Sequence, residues 1–347
     1  MEINMDKLSF PGLGINEPFS IPKSFPFLFG REIALYGVII CIGILLAITY
    51  AIFRAKRERV KTDDIVDLSF FLVIFGIIGA RLYYVIFEFD RYLVTSYDFL
   101  TNVKETFLNA IAIWEGGLAI YGAIIAGFLT IVIFCRIKKL KLIKLLDIAS
   151  PAVMIGQIIG RWGNFVNVEA YGSETTLPWR MGIHHTDIPI SIAGEDLSLW
   201  VVKYVHPTFL YESLWNLVGF IIANVLYRKK KFDGEIFCFY IAWYGFGRML
   251  IEGLRTDSLY IAGVVRVSQL VGLLTFIAGT VLMILWARRA KAESALLIDG
   301  VFAPVELENE TEDVTSDENV SEKTVNDNEE TEAKEDNSDS EAEGEEN

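Results

Sequence analysis

Apolar runs of roughly bilayer length alternate along this chain with short polar segments. A hydrocarbon core takes about 20 residues of helix, and seven stretches meet or approach that: 33–53, 65–87, 110–135, 145–165, 207–227, 236–253 and 264–287. The fourth is the most polar, carrying Asp147, Pro151, Gln157 and Arg161. It is retained because the basic residues alternate only if it crosses. The expected fold is therefore an all-α polytopic membrane protein of about seven transmembrane helices.

Charge orients those helices. The segments after the first, third, fifth and seventh stretches carry 17 Lys and Arg, beginning with Arg54, Lys56, Arg57, Arg59 and Lys61. The longer alternate segments carry eight. Positive residues accumulate on the cytoplasmic side, which puts the N-terminus outside and the C-terminus in the cytoplasm. Residues 1–32 become an extracytoplasmic segment with no apolar signal-peptide run. Residues 33–291 form the membrane domain, and its outer connection, 166–206, is long enough for a small cap with short strands. The formal charge of −14 comes from the other end, where 19 acidic residues after position 305 stand against Lys323 and Lys334. Residues 292–347 are too polar to build a core and read as a disordered acidic tail without a catalytic role.

Cys41, Cys135 and Cys238 are isolated within apolar runs and have no metal or disulfide spacing, so no reactive cysteine is expected. His184, His185 and His206 also lack a metal-binding spacing. Neither a metal, a cofactor nor a nucleic-acid partner is implied.

A charge at mid-membrane is expensive and usually marks function. Here the costly residues gather toward the outer ends of the helices: Tyr36, Arg81, Glu88, Trp114, Glu115, Tyr121, Gln157, Arg161, Asn164, Glu212, Tyr244, Arg248, Glu252 and Arg255. The inner half is expected to hold almost none. Helical spacing places Tyr244, Arg248, Glu252 and Arg255 on one stripe and Gln157, Arg161 and Asn164 on another. One Arg248–Glu252 pair could simply make its helix insertable. Several arginines at one depth fit an anionic ligand better, because guanidinium suits phosphate. The lipid headgroup is the anion at hand.

Within that layer the run GRWGNFVNVEAYG at residues 160–172 resembles the signature of prolipoprotein diacylglyceryl transferases at every fixed position. Gly79–Arg81, Trp114–Gly117 with Tyr121–Gly122, His206–Glu212 and Tyr244–Arg255 agree with the family in the same order. The resemblance covers about residues 30–287 and implies seven helices with the N-terminus outside. It also implies a reaction: the diacylglyceryl group of phosphatidylglycerol passes to the lipobox cysteine in the signal peptide of a prolipoprotein, and glycerol phosphate leaves. That places the protein in the bacterial cell membrane among its lipids, with the site toward the outer leaflet. By the same resemblance Arg161 and Arg248 hold the phosphate, Asn164 and Glu169 orient the headgroup or loop, and Glu252 positions Arg248. Gly172, Tyr36, Tyr244, Arg255 and Arg81 complete the substrate site. Tyr121 stands where many members carry a histidine proposed as thiol-activating base. A phenol is a weak base near neutral pH, so Tyr121 is expected to hydrogen-bond substrate while the arginine field ionises the thiol.

A transporter is the main rival, but the polar layer stops at one depth and the spans show no internal repeat. A CDP-alcohol phosphotransferase would need clustered intramembrane aspartates, and Asp63, Asp64 and Asp67 lack that pattern. A lipid-binding scaffold fits the matched signature less well.

Overall fold

The computed structural model describes residues 7–26, 32–95, 98–113, 116–192, 195–256, 260–261 and 265–301. The chain is mostly helical: α1 Leu35–Arg57, α2 Thr62–Phe87, α3 Phe99–Ile111, α4 Ile120–Lys138, α5 Leu142–Asn167, α6 Thr208–Arg228, α7 Glu235–Ile251 and α8 Val267–Val301. Six of these, all but α3 and α7, are long and apolar enough to cross a membrane. The chain is a polytopic membrane protein. Its apolar side chains accordingly point outward, with Leu45, Phe70, Ile124 and Ile221 all exposed, as required where lipid replaces water. The helix α7 has 17 residues and runs into a 3-10 turn, Glu252–Leu254.

The helix that carries Asp147, Gln157 and Arg161 is the most central. α5 packs against α1, α4, α6 and α7, and its buried Leu145, Ile148 and Ala152 join Ala55, Ile65 and Phe134 in one core cluster. Met154, on the same helix, joins Ala223, Tyr227 and Ile236 in another. Elsewhere small residues set the packing: Gly79 of α2 and Gly122 of α4 stand where the helices cross, and a Cβ on either would collide with the other's backbone. Such close approach is how helices associate when no water is squeezed out between them.

Two expectations need correction. Residues 110–135 are not one helix: α3 ends at Ile111 and α4 begins at Ile120, because Gly116 and Gly117 adopt φ of 90° and 75°, incompatible with a right-handed helix. α3 itself starts at an Asp98 cap, whose carboxylate accepts from the Thr101 N–H at 3.3 Å. The helix α8 continues through residues 292–301, where the tail was expected to begin, and 302–347 lie outside the described residues.

Where α1 and α6 end and α5 and α7 begin, polar side chains pair across helices. Arg54 is buried, donates to Asn224 Oδ1 at 2.6 Å and lies 3.8 Å over the Tyr227 ring. Nearby, Lys230 pairs with Glu58 at 3.2 Å and with Asp147 at 3.1 Å. Asp147 also caps α7 from another helix, accepting from Gly234 N at 2.7 Å and Phe237 N at 2.9 Å. These donors belong to the helix start, where no intrahelical acceptor exists. These pairings were hidden because the partners lie far apart in sequence.

A sheet adds to the all-α expectation. The strands β1 Lys7–Phe10, β2 Ile15–Ser20, β3 Ser24–Pro26, β4 Glu32–Ala34, β5 Met181–Ile192, β6 Glu195–Val205, β7 Tyr260–Ile261 and β8 Val265–Arg266 form three sheets. In the largest, with order β2-β1-β5-β6, the N-terminal β1 pairs antiparallel with β5. Its buried Leu8, Met181, Ile183 and Val205 sit on Phe209 of α6. Beside them Ser9 Oγ and His184 Nε2 are 2.9 Å apart.

Candidate active site

The loop that follows α5 is built under constraint. Val168 and Ala170 hold φ of 54° and 59°, a left-handed conformation that a β-branched residue adopts only when its surroundings impose it. Here they do: Gly172 N donates to His206 O at 2.9 Å, Ser173 N to Leu254 O at 2.7 Å, and the Thr208 hydroxyl to Ala170 O. The loop is thereby stitched to the start of α6 and to the turn after α7. Gly172 is needed because a Cβ there would meet the His206 Cβ and the Leu254 carbonyl.

This stitching brings three arginines onto one acid. Glu212, near the start of α6, is 3% exposed. It meets Arg161 of α5 at 2.8 Å, Arg248 of α7 at 3.0 Å and Arg255 at 3.3 Å. Arg248 also reaches Glu252 Oε2 at 2.6 Å. From Arg161 the network runs on along α5 into the loop that follows it: Nη1 donates to Asn164 Oδ1 at 3.1 Å, and Asn164 Nδ2 to Glu169 Oε1 at 2.7 Å. Three guanidinium groups thus converge on the buried Glu212, with Glu252 holding one of them, in a setting of reduced dielectric. The cluster is suited to an anion, and more so to one whose charge grows during reaction.

Other expected site residues border this cluster or stand apart from it. Tyr36 packs its ring on Gly163, leaving no room for a Cβ there. Tyr244 stacks on Tyr240, with centroids 5.9 Å apart. Arg81, 6% exposed, turns away: it donates to Ala110 O and Asn109 O at 2.8 Å and to Gly117 O at 3.1 Å, with Tyr92 against its other face. It therefore closes the end of α3, where helix carbonyls have no internal partner. Tyr121 is 40% exposed and its ring neighbour is Tyr83, 6.3 Å away. Trp114 and Glu115 lie outside the described residues.

Glu212 is the residue whose part the sequence understated. Its signal was a single carboxylate early in an apolar run, at the depth of the arginines. Which arginines it joins depends on the packing of α5, α6 and α7. His206 Nδ1 is 3.1 Å from the Tyr211 hydroxyl, which accepts from Trp179 Nε1 at 2.7 Å. Among the described residues no group of histidine, cysteine and acidic side chains could hold a metal ion.

Residues 23–285 match the family model described as prolipoprotein diacylglyceryl transferase. Among similar proteins is the phosphatidylglycerol–prolipoprotein diacylglyceryl transferase of Lactobacillus acidophilus, 44% identical over 74% of this chain and 85% of its own length. Enzymes of the same name from Listeria innocua and Finegoldia magna are also 44% identical, over 72% and 76% of this chain and 84% and 94% of theirs.

Proposed function

The chain belongs to the prolipoprotein diacylglyceryl transferase family, and from that premise we propose that the arginine cluster around Glu212 is where its reaction occurs. The protein is a transferase that moves a diacylglyceryl group from phosphatidylglycerol to prolipoproteins. The observation that carries the assignment of the site is the convergence of Arg161, Arg248 and Arg255 on one buried carboxylate. In the proposed step the lipobox cysteine of the prolipoprotein signal peptide loses its proton and attacks the glyceryl carbon. The carbon–oxygen bond to phosphate breaks, and glycerol phosphate departs with the electron pair.

Arg161 and Arg248 hold the phosphate and stabilise the charge that develops on it. Glu212 and Glu252 fix those guanidinium groups, so little reorganisation accompanies the reaction. Asn164 and Glu169 extend the network toward the headgroup glycerol, and Gly172 lets the loop close over it. Arg255, Tyr36 and Tyr244 wall the site, and Arg81 braces the connection that leads to Tyr121. Tyr121 hydrogen-bonds the incoming substrate, while the positive field lowers the thiol's pKa.

The same reading sets the topology. α7 serves as the seventh span, since about 17 residues is the lower limit for crossing. The N-terminus and the sheet lie outside the bacterial cell membrane and the 292–347 region in the cytoplasm. α3, with Phe99, Val103 and Phe107 exposed on one side, lies at the outer lipid–water boundary. The lipid donor enters sideways from the outer leaflet.

The test uses purified protein in detergent with phosphatidylglycerol and a synthetic lipobox peptide. A diacylglyceryl mass gain on the cysteine, with glycerol phosphate released, is expected. Both should vanish with Arg248→Ala and with a serine in place of the peptide's cysteine. Folded protein that binds the lipid but produces no gain would falsify the assignment.

A further inference from the structure

Beneath the arginine cluster, a groove of about 400 Å³ opens between α1, α2 and α5, walled by residues such as Ala47, Leu72, Ala149 and Val153. Ser69 in its wall turns its hydroxyl onto the Ile65 carbonyl at 2.7 Å. The other polar group is Gln157, at one end. Its Nε2 donates to the Tyr240 hydroxyl at 3.1 Å, while its Oε1 is buried without a hydrogen-bond partner among the described residues. A buried amide oxygen in that condition is unfavourable and uncommon, and calls for a ligand or an exchange of partners.

Gln157 lies one turn along α5 from Arg161, about 6 Å by helical rise. In a glycerophospholipid the acyl ester carbonyls lie a similar short step from the phosphorus, across the glycerol carbons. From Gln157 the groove runs along α5 to Leu145, about 18 Å by the same rise, comparable to one leaflet of a hydrocarbon core about 30 Å thick.

Resting on the transferase reading above, we propose that Gln157 binds an acyl ester carbonyl of the lipid donor and that the groove holds the attached chain. The chemistry of the pair permits it. The Tyr240 hydroxyl can donate as well as accept, so the amide can exchange its ends. The tyrosine then donates to Oε1, and the Gln157 NH₂ donates to the ester. Both groups are satisfied, and the lipid acquires a register: an ester at Gln157 brings the phosphate up to Arg161. A lipid that lacks the carbonyl loses that register.

The experiment compares phosphatidylglycerol with its dialkyl ether analogue, which keeps the phosphate and the bond that breaks but has no ester carbonyls. The wild-type enzyme is expected to prefer the diester by about five- to tenfold in kcat/KM, the effect of one neutral hydrogen bond. In Gln157→Leu the ratio should fall to near unity. An equal preference in both proteins overturns the proposal. If the variant does not accumulate, wild-type protein photolabelled by a phosphatidylglycerol bearing a mid-chain diazirine decides. Label on the groove walls of α1, α2 or α5 supports the proposal, and label confined elsewhere overturns it. A wild-type enzyme inactive on the diester would instead defeat the transferase reading.

Discussion

Replacing Glu212 by glutamine would leave the volume of the cluster nearly unchanged while removing the charge that three guanidinium groups share. Breaking a buried ion pair on one side costs about 3–5 kcal/mol, because the remaining charge is left uncompensated. Glu212→Gln is therefore expected to lower Tm and to reduce kcat/KM by more than about tenfold, measured by thermal unfolding in detergent and by the peptide assay. A variant as stable and active as wild type would mean the arginines do not depend on that carboxylate. Tyr121 carries the opposite expectation. Removing a general base typically loses about 100-fold or more in rate, whereas Tyr121→Phe should stay within about tenfold of wild type if the arginine field ionises the thiol. A larger loss in folded protein that still binds lipid would assign the base to Tyr121. At this scale the sequence placed Gln157, Arg161 and Asn164 on one helix, whereas α7 ends at Ile251 and Arg255 follows the next turn in extended conformation, off the expected stripe of Tyr244, Arg248 and Glu252. The sequence was silent about which acid the arginines share, because Glu212 and Arg248 are brought together only by the packing of α6 on α7.

The helices depend on a few positions where two of them meet. Gly79→Leu would push side-chain atoms into the backbone of α4 at Gly122, and overpacking of this kind costs about 1–3 kcal/mol or more. The expected result is a lower unfolding temperature and a smaller folded fraction in size-exclusion chromatography; a change in KM for lipid at normal stability would contradict a purely packing role. Asp147→Ala removes the acceptor for two N–H groups of α7 and a partner of Lys230, and should destabilise by about 1–3 kcal/mol or more. Denaturant unfolding in mixed micelles would measure it. The long apolar helices were legible from composition alone. α3 was not, because its apolar positions are interleaved with Asn102, Lys104 and Glu105 and its end is set by Arg81, 28 residues or more away in sequence. The sheet was legible in part: β5 and β6 fall in the 166–206 connection expected to hold short strands, whereas the pairing of β1 with β5 joins segments far apart in sequence.

For the molecule as a whole, the sheet supplies a pH dependence. Burial, and secondarily Lys7, holds the His184 imidazole below its usual 6.5. The folded state thus prefers the neutral ring, and the unfolded chain binds the extra proton. Stability should be complete above 6.5 and decline as the pH falls from there through the lower folded value. Thermal unfolding between neutral and mildly acidic pH should show that slope in wild type and lose it in His184→Gln. Removing residues 302–347 should leave transfer unchanged in the peptide assay, because the matched region ends at residue 285; lost activity would give the tail a part in the reaction. The pairing of Ser9 with His184, 175 residues apart, also bears on how the protein is made. Translation proceeds at about 5–20 residues per second, so β1 leaves the ribosome roughly ten to thirty seconds before β5 exists. During that interval its hydrogen-bonding edge toward β5 is open, and the first helices must be inserted while the strand waits. The sheet can therefore close only after α5 is made, and a nascent chain halted there would carry β1 without its β5 partner.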